Sequence, residues 1–235
     1  MDMISFKWRH FKKEIILMTV RWDVAYALSY RDIEELMLER GVEVDHSTLN
    51  RWVRQYAPLL EVEFRRNHKS FVGTSWRMDE TYVKIKGKWH YLYRAVDKEG
   101  NTIDFMLSQK RDKTAAKRFF EKAIGAHGLP EKVTIDKSGS NKSALQSINL
   151  LLALVSTMCG ALFKIFVRTV KYLNNIVEQD HRAIKRITKA MMGFKTFDSA
   201  EATLAGIELH HMLKKGQYKN AGNMTVFEQF YALAA

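Results

Sequence analysis

The sequence predicts a protein of the α/β class whose first quarter is entirely helical, and three observations support this prediction. Apolar residues repeat at helical spacing through residues 11–56, three segments rich in aromatic and β-branched residues follow between 76 and 108, and helical and strand patterns alternate after them. With 235 residues, of which 46% are hydrophobic, the chain can bury a substantial core. This composition excludes an intrinsically disordered chain.

The chain is strongly basic, with 38 Lys and Arg against 26 Asp and Glu and a formal net charge of +12. Residues 1–60 are balanced in charge, so the whole excess lies after residue 60, and it is densest over residues 163–195. Such a charge is typical of proteins that bind polyanions, nucleic acid first and an anionic membrane surface second. A basic surface that only confers solubility is the simpler alternative. The single cysteine, Cys159, excludes an internal disulfide framework and a cysteine-based zinc site.

Two helices are predicted before residue 42. The apolar face of the first is predicted from residues that repeat at helical spacing, namely Phe11, Ile15, Met18 and Trp22. Ser29, followed three residues later by Asp32, predicts a capping box that opens the second helix. Gly41 is the residue expected to end it.

A third helix, capped by Asp45 or Ser47, has two contrasting faces. Its predicted inner face consists of Leu49, Trp52, Val53 and Tyr56. The opposite face carries side chains that hydrogen-bond base edges and phosphates: Ser47, Asn50, Arg51 and Arg54. The pattern is typical of the recognition helix of a helix-turn-helix. A plain three-helix packing unit with a solvated face has the same pattern.

The rest of the chain has the element order of the ribonuclease-H-like fold. Strands are predicted over 76–85, 89–96 and 102–108, a helix over 114–126, and a short strand from Lys132 to Asp136. A helix over 144–163, a strand over 164–170 and helices from Asn174 or Asn175 and from Asp198 complete the order. We therefore predict a mixed five-stranded sheet flanked by helices.

Three segments are predicted from these patterns. Pro58 is expected to close a helix-turn-helix domain of residues 1–60, and Pro130 leads into the fourth strand. The catalytic domain is expected at 73–215 and a C-terminal tail at 216–235, which carries Val226, Phe227 and Phe230 for docking on the core or pairing subunits.

Three carboxylates lie where the predicted fold brings them together. Asp79 lies inside the first strand, Asp136 ends the fourth, and Glu178 lies in the first turns of the following helix. The first and fourth strands are neighbours in a ribonuclease-H-like sheet, so we expect these carboxylates to converge. Their oxygens suit Mg²⁺, and two such ions support an in-line phosphodiester reaction, with Mn²⁺ as a substitute. Singly, each carboxylate is also explained as a surface group or a cap.

The helix of Glu178 carries a cationic stripe beside that carboxylate. Its predicted members, His181, Arg182, Lys185 and Lys189, follow Glu178 along the helix. A carboxylate next to a row of cations suits metal binding beside a phosphate backbone. We expect His181 to face DNA or to lie near the helix cap, and not to bind metal. A solvated face with ion pairs four residues apart is the simpler alternative.

Several segments closely resemble small bacterial insertion-sequence transposases of the IS-six family, within the DDE superfamily. The resemblance covers residues 5 to 215 and is strongest in Asp45-His-Ser-Thr-Leu-Asn-Arg-Trp-Val, Met78-Asp-Glu-Thr-Tyr-Val-Lys, Tyr91-Leu-Tyr-Arg-Ala-Val-Asp, Thr134-Ile-Asp-Lys and Lys171-Tyr-Leu-Asn-Asn-Ile-Val-Glu. It implies an acidic triad at Asp79, Asp136 and Glu178, with Lys185 holding DNA near the cut. It also implies DNA transposition, recombination and integration by a replicative, cointegrate-forming route.

The resemblance sets further expectations about partners and location. We expect metal-dependent strand cleavage and transfer at terminal inverted repeats and target DNA, by a homodimer or higher oligomer. The protein is expected at the nucleoid in the bacterial cytoplasm, without a membrane. The alternative is an inactive copy that only binds terminal inverted repeats.

One departure from the family concerns the 41 residues between Asp136 and Glu178, which exceed the family's usual spacing. The surplus falls in residues 143–163, an uncharged run of 21 residues that is long enough to span a membrane. A span there would separate Asp136 from Glu178 across a bilayer. We therefore expect a buried helix with an apolar extension that covers the sheet or meets a second subunit.

Overall fold

The structure is a computed structural model that describes residues 4–7, 10–137 and 139–234. The helices are α1 (Lys13–Ala25), α2 (Tyr30–Leu38), α3 (His46–Glu63), α4 (Lys113–His127), α5 (Gly139–Cys159), α6 (Asn175–Ala190), α7 (Phe197–Lys214) and α8 (Val226–Ala232). The strands are β1 (Ser75–Ile85), β2 (Lys88–Val96), β3 (Thr102–Ser108), β4 (Lys132–Thr134) and β5 (Phe166–Arg168). A π-helical turn (Phe64–His68) and a 3₁₀ turn (Lys171–Asn174) complete the regular structure.

The chain forms two compact units. The helical unit comprises the described parts of residues 1–70, 84–87 and 183–235, and the sheet unit comprises those of residues 71–83 and 88–182. The division falls within α6, between Arg182 and Ala183. The C-terminal helices α7 and α8 thus belong to the same unit as the N-terminal ones, a grouping that the predicted segments 1–60, 73–215 and 216–235 do not anticipate.

Helix α1 turns a different face inward from the one predicted. Ile16, Leu17, Val20 and Val24 are buried, whereas Phe11, Ile15, Met18 and Trp22 are only partly buried. The predicted inner face was wrong because apolar residues lie on two sides of α1. Helical spacing alone is therefore consistent with either side facing the core. Asp23, on the inner face, is 1% exposed.

Helices α2 and α3 begin where the sequence indicates. Ser29 and Asp32 form the reciprocal capping box, and the Asp45 side chain accepts hydrogen bonds from the backbone N–H groups of Ser47 and Thr48. The predicted inner face of α3 is buried, from Leu49 to Tyr56. Pro58, however, lies inside α3 and does not end it, because the helix continues to Glu63 and then into the π-helical turn.

Helix α7 is the central helix of the helical unit. Most of its residues are buried around its whole circumference, as expected of a helix surrounded by others. Gly206 allows the close approach, since a Cβ atom there would lie 2.5 Å from Val24 Cγ1 and 2.8 Å from Ala57 Cβ. The C-terminal tail packs through α8. Phe230 of this helix and Leu233 after it are buried, whereas Phe227 is half exposed.

The sheet has the strand order β3-β2-β1-β4-β5, with β4 parallel to both β1 and β5 and β2 antiparallel to β3. Lys86 and Gly87 connect β1 to β2 with positive φ angles of 49° and 76°, as a tight hairpin turn requires. This is the predicted mixed five-stranded, ribonuclease-H-like sheet. Strands β4 and β5 are shorter than expected: β5 covers only Phe166–Arg168, and β4 ends at Thr134, which leaves Asp136 two residues beyond it.

Helices α4 and α5 pack on one face of the sheet, against Trp76 and Met78 of β1. Only the first half of α5 is buried, through Asn141, Ala144, Leu145 and Ile148. Its second half is exposed at Leu150, Leu151, Leu154, Val155 and Met158, so the expected burial of the apolar extension on the sheet is wrong. By length and composition, α5 is the one helix of the described chain that could span a membrane, and 17% of its most apolar window is buried.

Candidate active site

Two parallel strands place Asp79 and Asp136 side by side. In the β1–β4 pair, Arg77 lies opposite Thr134, and each aspartate follows its strand partner by two residues. The backbone of β4 continues past its last strand residue, since Ile135 N–H donates to the Arg168 carbonyl of β5. The register therefore places Asp79, inside β1, beside Asp136, which follows the end of β4, as predicted.

Glu80 joins these two aspartates. One carboxyl oxygen each from Asp79, Glu80 and Asp136 lies within 4.8 Å of the others. Glu80 was not predicted as a site residue, because the alternation of a strand sends its side chain to the face opposite Asp79. The signal was available in the sequence, since two consecutive acids inside an otherwise apolar strand are unusual.

Arg111 and Asn141 hold the Glu80 side of this cluster. Arg111 Nη2 lies 3.3 Å from Glu80 Oε2 and 3.2 Å from Asp136 Oδ2, so one guanidinium bridges two carboxylates. Asn141, at the start of α5, donates to Asp136 Oδ1 over 3.5 Å and also hydrogen-bonds Glu80. Burial raises the pKa of Glu80, while the charge of Arg111 and the Asn141 hydrogen bond act in the opposite direction.

Asp79 is the carboxylate whose electrostatics the site changes most. Burial, followed by the charges of Glu80, Asp136 and Glu178, raises its pKa to about 7, with a backbone hydrogen bond at Glu80 opposing the shift. A carboxyl surrounded by other carboxylates gains from a nearby cation, because the cation relieves both their repulsion and the cost of burial. The electrostatics therefore favour a cation beside Asp79.

Glu178 stands apart from the close cluster. It is exposed in the first turn of α6, and it does not belong to the group of oxygens within 4.8 Å of one another. Its charge nevertheless contributes to the raised pKa of Asp79, so the three predicted carboxylates share one electrostatic environment. The arrangement does not fit a bilayer between Asp136 and Glu178.

Two contacts that the sequence did not reveal attach the first half of α6 to the sheet. Arg94 of β2 forms an ion pair of 2.7 Å with Asp180, and the Arg94 side chain is completely buried. Asn174, just before α6, donates a hydrogen bond of 3.3 Å to the carbonyl oxygen of Met78, which is adjacent to Asp79. Together they fix the helix that carries Glu178 against the strand that carries Asp79.

The prediction for His181 is corrected. Its ring is 4% exposed, and Nδ1 lies 3.8 Å from Asp79 Oδ2. His181 directly follows Asp180, whose ion pair with Arg94 holds this part of α6 against the sheet. The His181 ring therefore faces the Asp79 carboxylate and not a DNA backbone. The helical stripe continues through Arg182, Lys185 and Lys189, which are all exposed.

The predicted DNA-contact face of α3 is accessible. Ser47, Arg51 and Arg54 are exposed, and Asn50 is partly buried beside Tyr30, with which it hydrogen-bonds. Arg51 Nη2 donates to Thr48 Oγ1 over 2.9 Å, which holds the guanidinium on the helix surface. Leu49 and Trp52 bury the opposite side, so this helix is amphipathic in the sense that a recognition helix requires.

The carboxylate cluster suits a hard divalent cation. Its donors are all carboxylate oxygens, which Mg²⁺ and Mn²⁺ prefer over nitrogen or sulfur, and three of them already lie within 4.8 Å of one another. Arg111 demonstrates that the site accepts positive charge between Glu80 and Asp136. The residues present therefore fit the metal chemistry that the sequence suggested.

Solved structures with a similar outline are catalytic cores of retroviral integrases. The HTLV-2 integrase catalytic core domain in complex with magnesium has a TM-score of 0.43 and 19% identity, and it covers 59% of this chain and 86% of its own. The catalytic core domain of BIV integrase has a TM-score of 0.41 and 15% identity, over 59% of this chain and 84% of its own.

Sequence relatives give a firmer result. The chain is 42% identical over 226 residues to the transposase for insertion sequence-like element IS431mec of Staphylococcus aureus, which covers 96% of this chain and 94% of the relative. The transposase for insertion sequence element IS257 in transposon Tn4003, also of Staphylococcus aureus, matches with the same identity and coverage. The match spans the whole carboxylate region and gives no support to an inactive copy.

Family profiles agree with these relatives. A profile described as a DDE domain matches residues 73–217, and a profile described as the Transposase IS66 family matches residues 11–130. The first match contains Asp79, Asp136 and Glu178, and the second contains the helix-turn-helix pattern. The chain belongs to the DDE transposases of the IS-six family.

Proposed function

We propose that Asp79, Asp136 and Glu178 are the catalytic carboxylates of this DDE transposase and that they bind two Mg²⁺ ions, for which Mn²⁺ can substitute. The observation that carries the proposal is the convergence of Asp79 and Asp136 from neighbouring parallel strands, with Glu178 close enough to raise the pKa of Asp79. The ions, when bound, activate the attacking hydroxyl and stabilise the leaving oxygen of a phosphodiester.

Glu80 has a different role in this proposal. Its side chain is 2% exposed and bonded to Arg111 and Asn141, so it helps to hold Asp136 in place. Glu178 is exposed at the edge of the same environment, where a DNA phosphate can reach it. We therefore assign the third catalytic carboxylate to Glu178, although Glu80 lies closer to Asp79.

The protein's own groups orient the DNA for the reaction. In strand transfer, the oxygen of a 3′ hydroxyl forms a bond to phosphorus while the phosphorus–oxygen bond opposite it breaks. Exposed Arg182, Lys185 and Lys189 follow Glu178 along α6 and neutralise the phosphates on either side of that phosphorus. The buried Arg94–Asp180 pair attaches the first half of this helix to β2.

The two glutamates provide the test of the catalytic assignment. Strand joining would be measured with the element's own ends and Mg²⁺ for Glu178→Gln and Glu80→Gln, which remove the same charge. Glu178→Gln should abolish joining at all Mg²⁺ concentrations, while Glu80→Gln should retain part of the activity and lose stability. The opposite ranking would transfer the catalytic role to Glu80.

We propose that the exposed face of α3 recognises the terminal inverted repeats through Ser47, Asn50, Arg51 and Arg54. Arg51→Ala should weaken binding to the element's ends by about 1–3 kcal/mol while leaving binding to unrelated DNA nearly unchanged. Lys185→Ala is the matched control, because loss of a phosphate contact weakens binding to all sequences equally and lowers the salt dependence. Equal losses on all sequences for Arg51→Ala would remove its role in reading bases.

Assembly and location follow from this function. A transposase that joins donor and target DNA must hold two ends at once, so we propose a homodimer or higher oligomer on DNA, located at the nucleoid of the bacterial cytoplasm. Residues 1–60 and 73–215 are proposed as its end-recognition and catalytic domains. Light scattering of the protein with and without a duplex of its terminal repeat tests the stoichiometry, and a one-to-one complex would contradict it.

A further inference from the structure

Two exposed aromatic side chains, Tyr82 and Trp89, and the partly buried Tyr91 form a platform near the carboxylate cluster. Tyr82 and Trp89 meet edge to face with their ring centroids 6.2 Å apart, and Tyr82 and Tyr91 are 5.4 Å apart. Tyr82 is 51% exposed and Trp89 is 61% exposed, although aromatic rings of this size are normally among the more buried residues. We call Tyr82, Trp89 and Tyr91 the aromatic platform.

The platform lies on the same face of the sheet as Glu80. Trp76 and Met78 of β1 and Tyr93 and Ala95 of β2 belong to the apolar core on that face. Side chains alternate along a strand, so in β1 Glu80 and Tyr82 lie on the same face as Met78. In β2, Trp89 and Tyr91 lie on the same face as Tyr93. Two residues along a strand advance the chain by about 6.6 Å, so Tyr82 follows Glu80 by a distance that one or two nucleotides cover.

Arg111 connects the platform to the carboxylates. Burial lowers the pKa of the Arg111 guanidinium, but the charges of Glu80 and Asp136, which it contacts, and to a smaller extent Tyr82 raise that pKa overall. Exposed Lys110 precedes Arg111, and exposed Lys113 begins α4. Together with Arg111, these cations complement a phosphate backbone.

We propose that the aromatic platform binds unpaired bases of the DNA strand whose phosphate lies at the carboxylates. Exposed ring faces with cations around them are the combination by which proteins hold single strands without reading their sequence. A break in one strand leaves bases that are free to unstack beside the reacting phosphate, and Tyr82 follows Glu80 by two residues of β1, about 6.6 Å. This inference rests on the proposed position of the reacting phosphate, and it adds a site that the catalytic residues do not supply.

A competing explanation for the aromatic platform is that its side chains only stabilise the β1–β2 hairpin. Neighbouring aromatic residues on adjacent strands stabilise a sheet by about 0.2–1 kcal/mol per pair whether or not they bind a ligand. That role does not require exposed ring faces, and it does not depend on bases. A binding measurement that varies only the bases therefore separates the two explanations.

The test compares two single strands that differ only in their bases. Fluorescence anisotropy of the full-length protein, without divalent ions, would measure binding to labelled dT15 and to a strand of the same length with abasic sugars. The unmodified protein should prefer dT15 by about tenfold, as expected from stacking of one base. Trp89→Ala and Tyr82→Ala should reduce this preference to less than about twofold, whereas Trp89→Phe should keep most of it.

Phe71→Ala is the matched control, because Phe71 is 97% exposed and precedes the opposite end of β1. It should leave the preference for dT15 unchanged. Equal affinity of the unmodified protein for both strands would overturn the proposal, and so would an equal loss on both strands in Trp89→Ala. If Trp89→Ala changes the oligomeric mass but keeps the base preference, the platform is a contact surface for a second copy of the chain and not a site for bases. Since no catalysis is measured, the result is independent of the assignment of Glu178.

Discussion

Arg94 and Arg111 both bind carboxylates in the sheet unit, but their surroundings are opposite. Arg94 is completely buried and forms a pair of 2.7 Å with Asp180, whereas Arg111 is 34% exposed and reaches Glu80 and Asp136 over 3.3 and 3.2 Å. The buried pair fixes the helix of Glu178 to the sheet. The exposed arginine neutralises carboxylates at the position where a metal ion would do so, and solvent can reach it. The same residue type therefore serves as a fixed structural contact in one place and as an exchangeable counter-charge in the other.

The largest effect on folding is expected from removing the buried arginine. Arg94→Met leaves Asp180 without its cation in a site where that side chain is 9% exposed, and breaking such a pair typically costs about 3–5 kcal/mol. Urea denaturation would measure this loss of unfolding free energy. The double variant Arg94→Met with Asp180→Leu should recover much of it, since no unpaired charge remains. A loss below about 1 kcal/mol in the single variant would show that the pair is not the fixed contact described here.

Asp23 extends the comparison to a buried carboxyl for which the described part of the chain shows no ion pair. Burial raises its pKa from 3.8 to about 8, and its Oδ2 accepts no hydrogen bond from any described residue. The pKa of Asp23 is higher in the folded protein than in the unfolded protein. Proton binding at Asp23 therefore contributes to the free energy of unfolding fully below about pH 4, and this contribution is lost as the pH rises through about 8. Asp23→Asn should thus gain stability over the unmodified protein as the pH increases.

The size of this pH effect follows from linkage. A single group contributes at most about 1.4 kcal/mol per pH unit, so between pH 5 and pH 8 the difference between the two proteins should change by on the order of 3 kcal/mol. Urea denaturation at both pH values measures it, and groups that titrate in both proteins cancel. Parallel pH profiles would mean that Asp23 is ionised in the folded protein, with a cation near it.

The smallest effect on stability is expected from the exposed arginine. Arg111→Gln should change the free energy of unfolding by less than about 1 kcal/mol, because its ion pairs are partly solvated. The same variant should bind Mn²⁺ several-fold more tightly, since Glu80 and Asp136 lose the cation that competes with the metal ion. Isothermal titration calorimetry without DNA measures this affinity. Lys113→Gln removes an equal charge at the start of α4 and should leave the affinity almost unchanged; an identical gain in both variants would indicate a general field effect.

Local patterns in the sequence predicted the strands and the caps because short-range chemistry decides them. Ser29, Asp32 and Asp45 cap their helices as expected, and the hairpin at Lys86 and Gly87 needs the positive φ angles that the turn adopts. The order of strands then placed Asp79 beside Asp136. Each of these features depends on residues close in the chain or on strand order alone.

The missed features depend on contacts between distant residues. Arg94 and Asp180 are 86 residues apart, and nothing in their local patterns indicates that they pair. Pro58 remains inside α3 because its neighbours Tyr56, Ala57 and Leu60 are buried, so tertiary packing outweighs the missing hydrogen bond. His181 has the spacing of an exposed stripe, yet the Arg94–Asp180 pair turns its side of α6 toward the sheet.

The decisive measurement for the carboxylate site is strand joining by Asp79→Asn, because this substitution removes one charge from the cluster while it keeps the shape of the side chain. With the element's own ends and Mg²⁺, joining should fall by about a thousandfold or more, equivalent to ~4 kcal/mol of transition-state stabilisation. Binding to the ends should stay within about twofold, since the face of α3 is untouched. Joining at the rate of the unmodified protein would contradict the assignment of Asp79 and the metal site built on it.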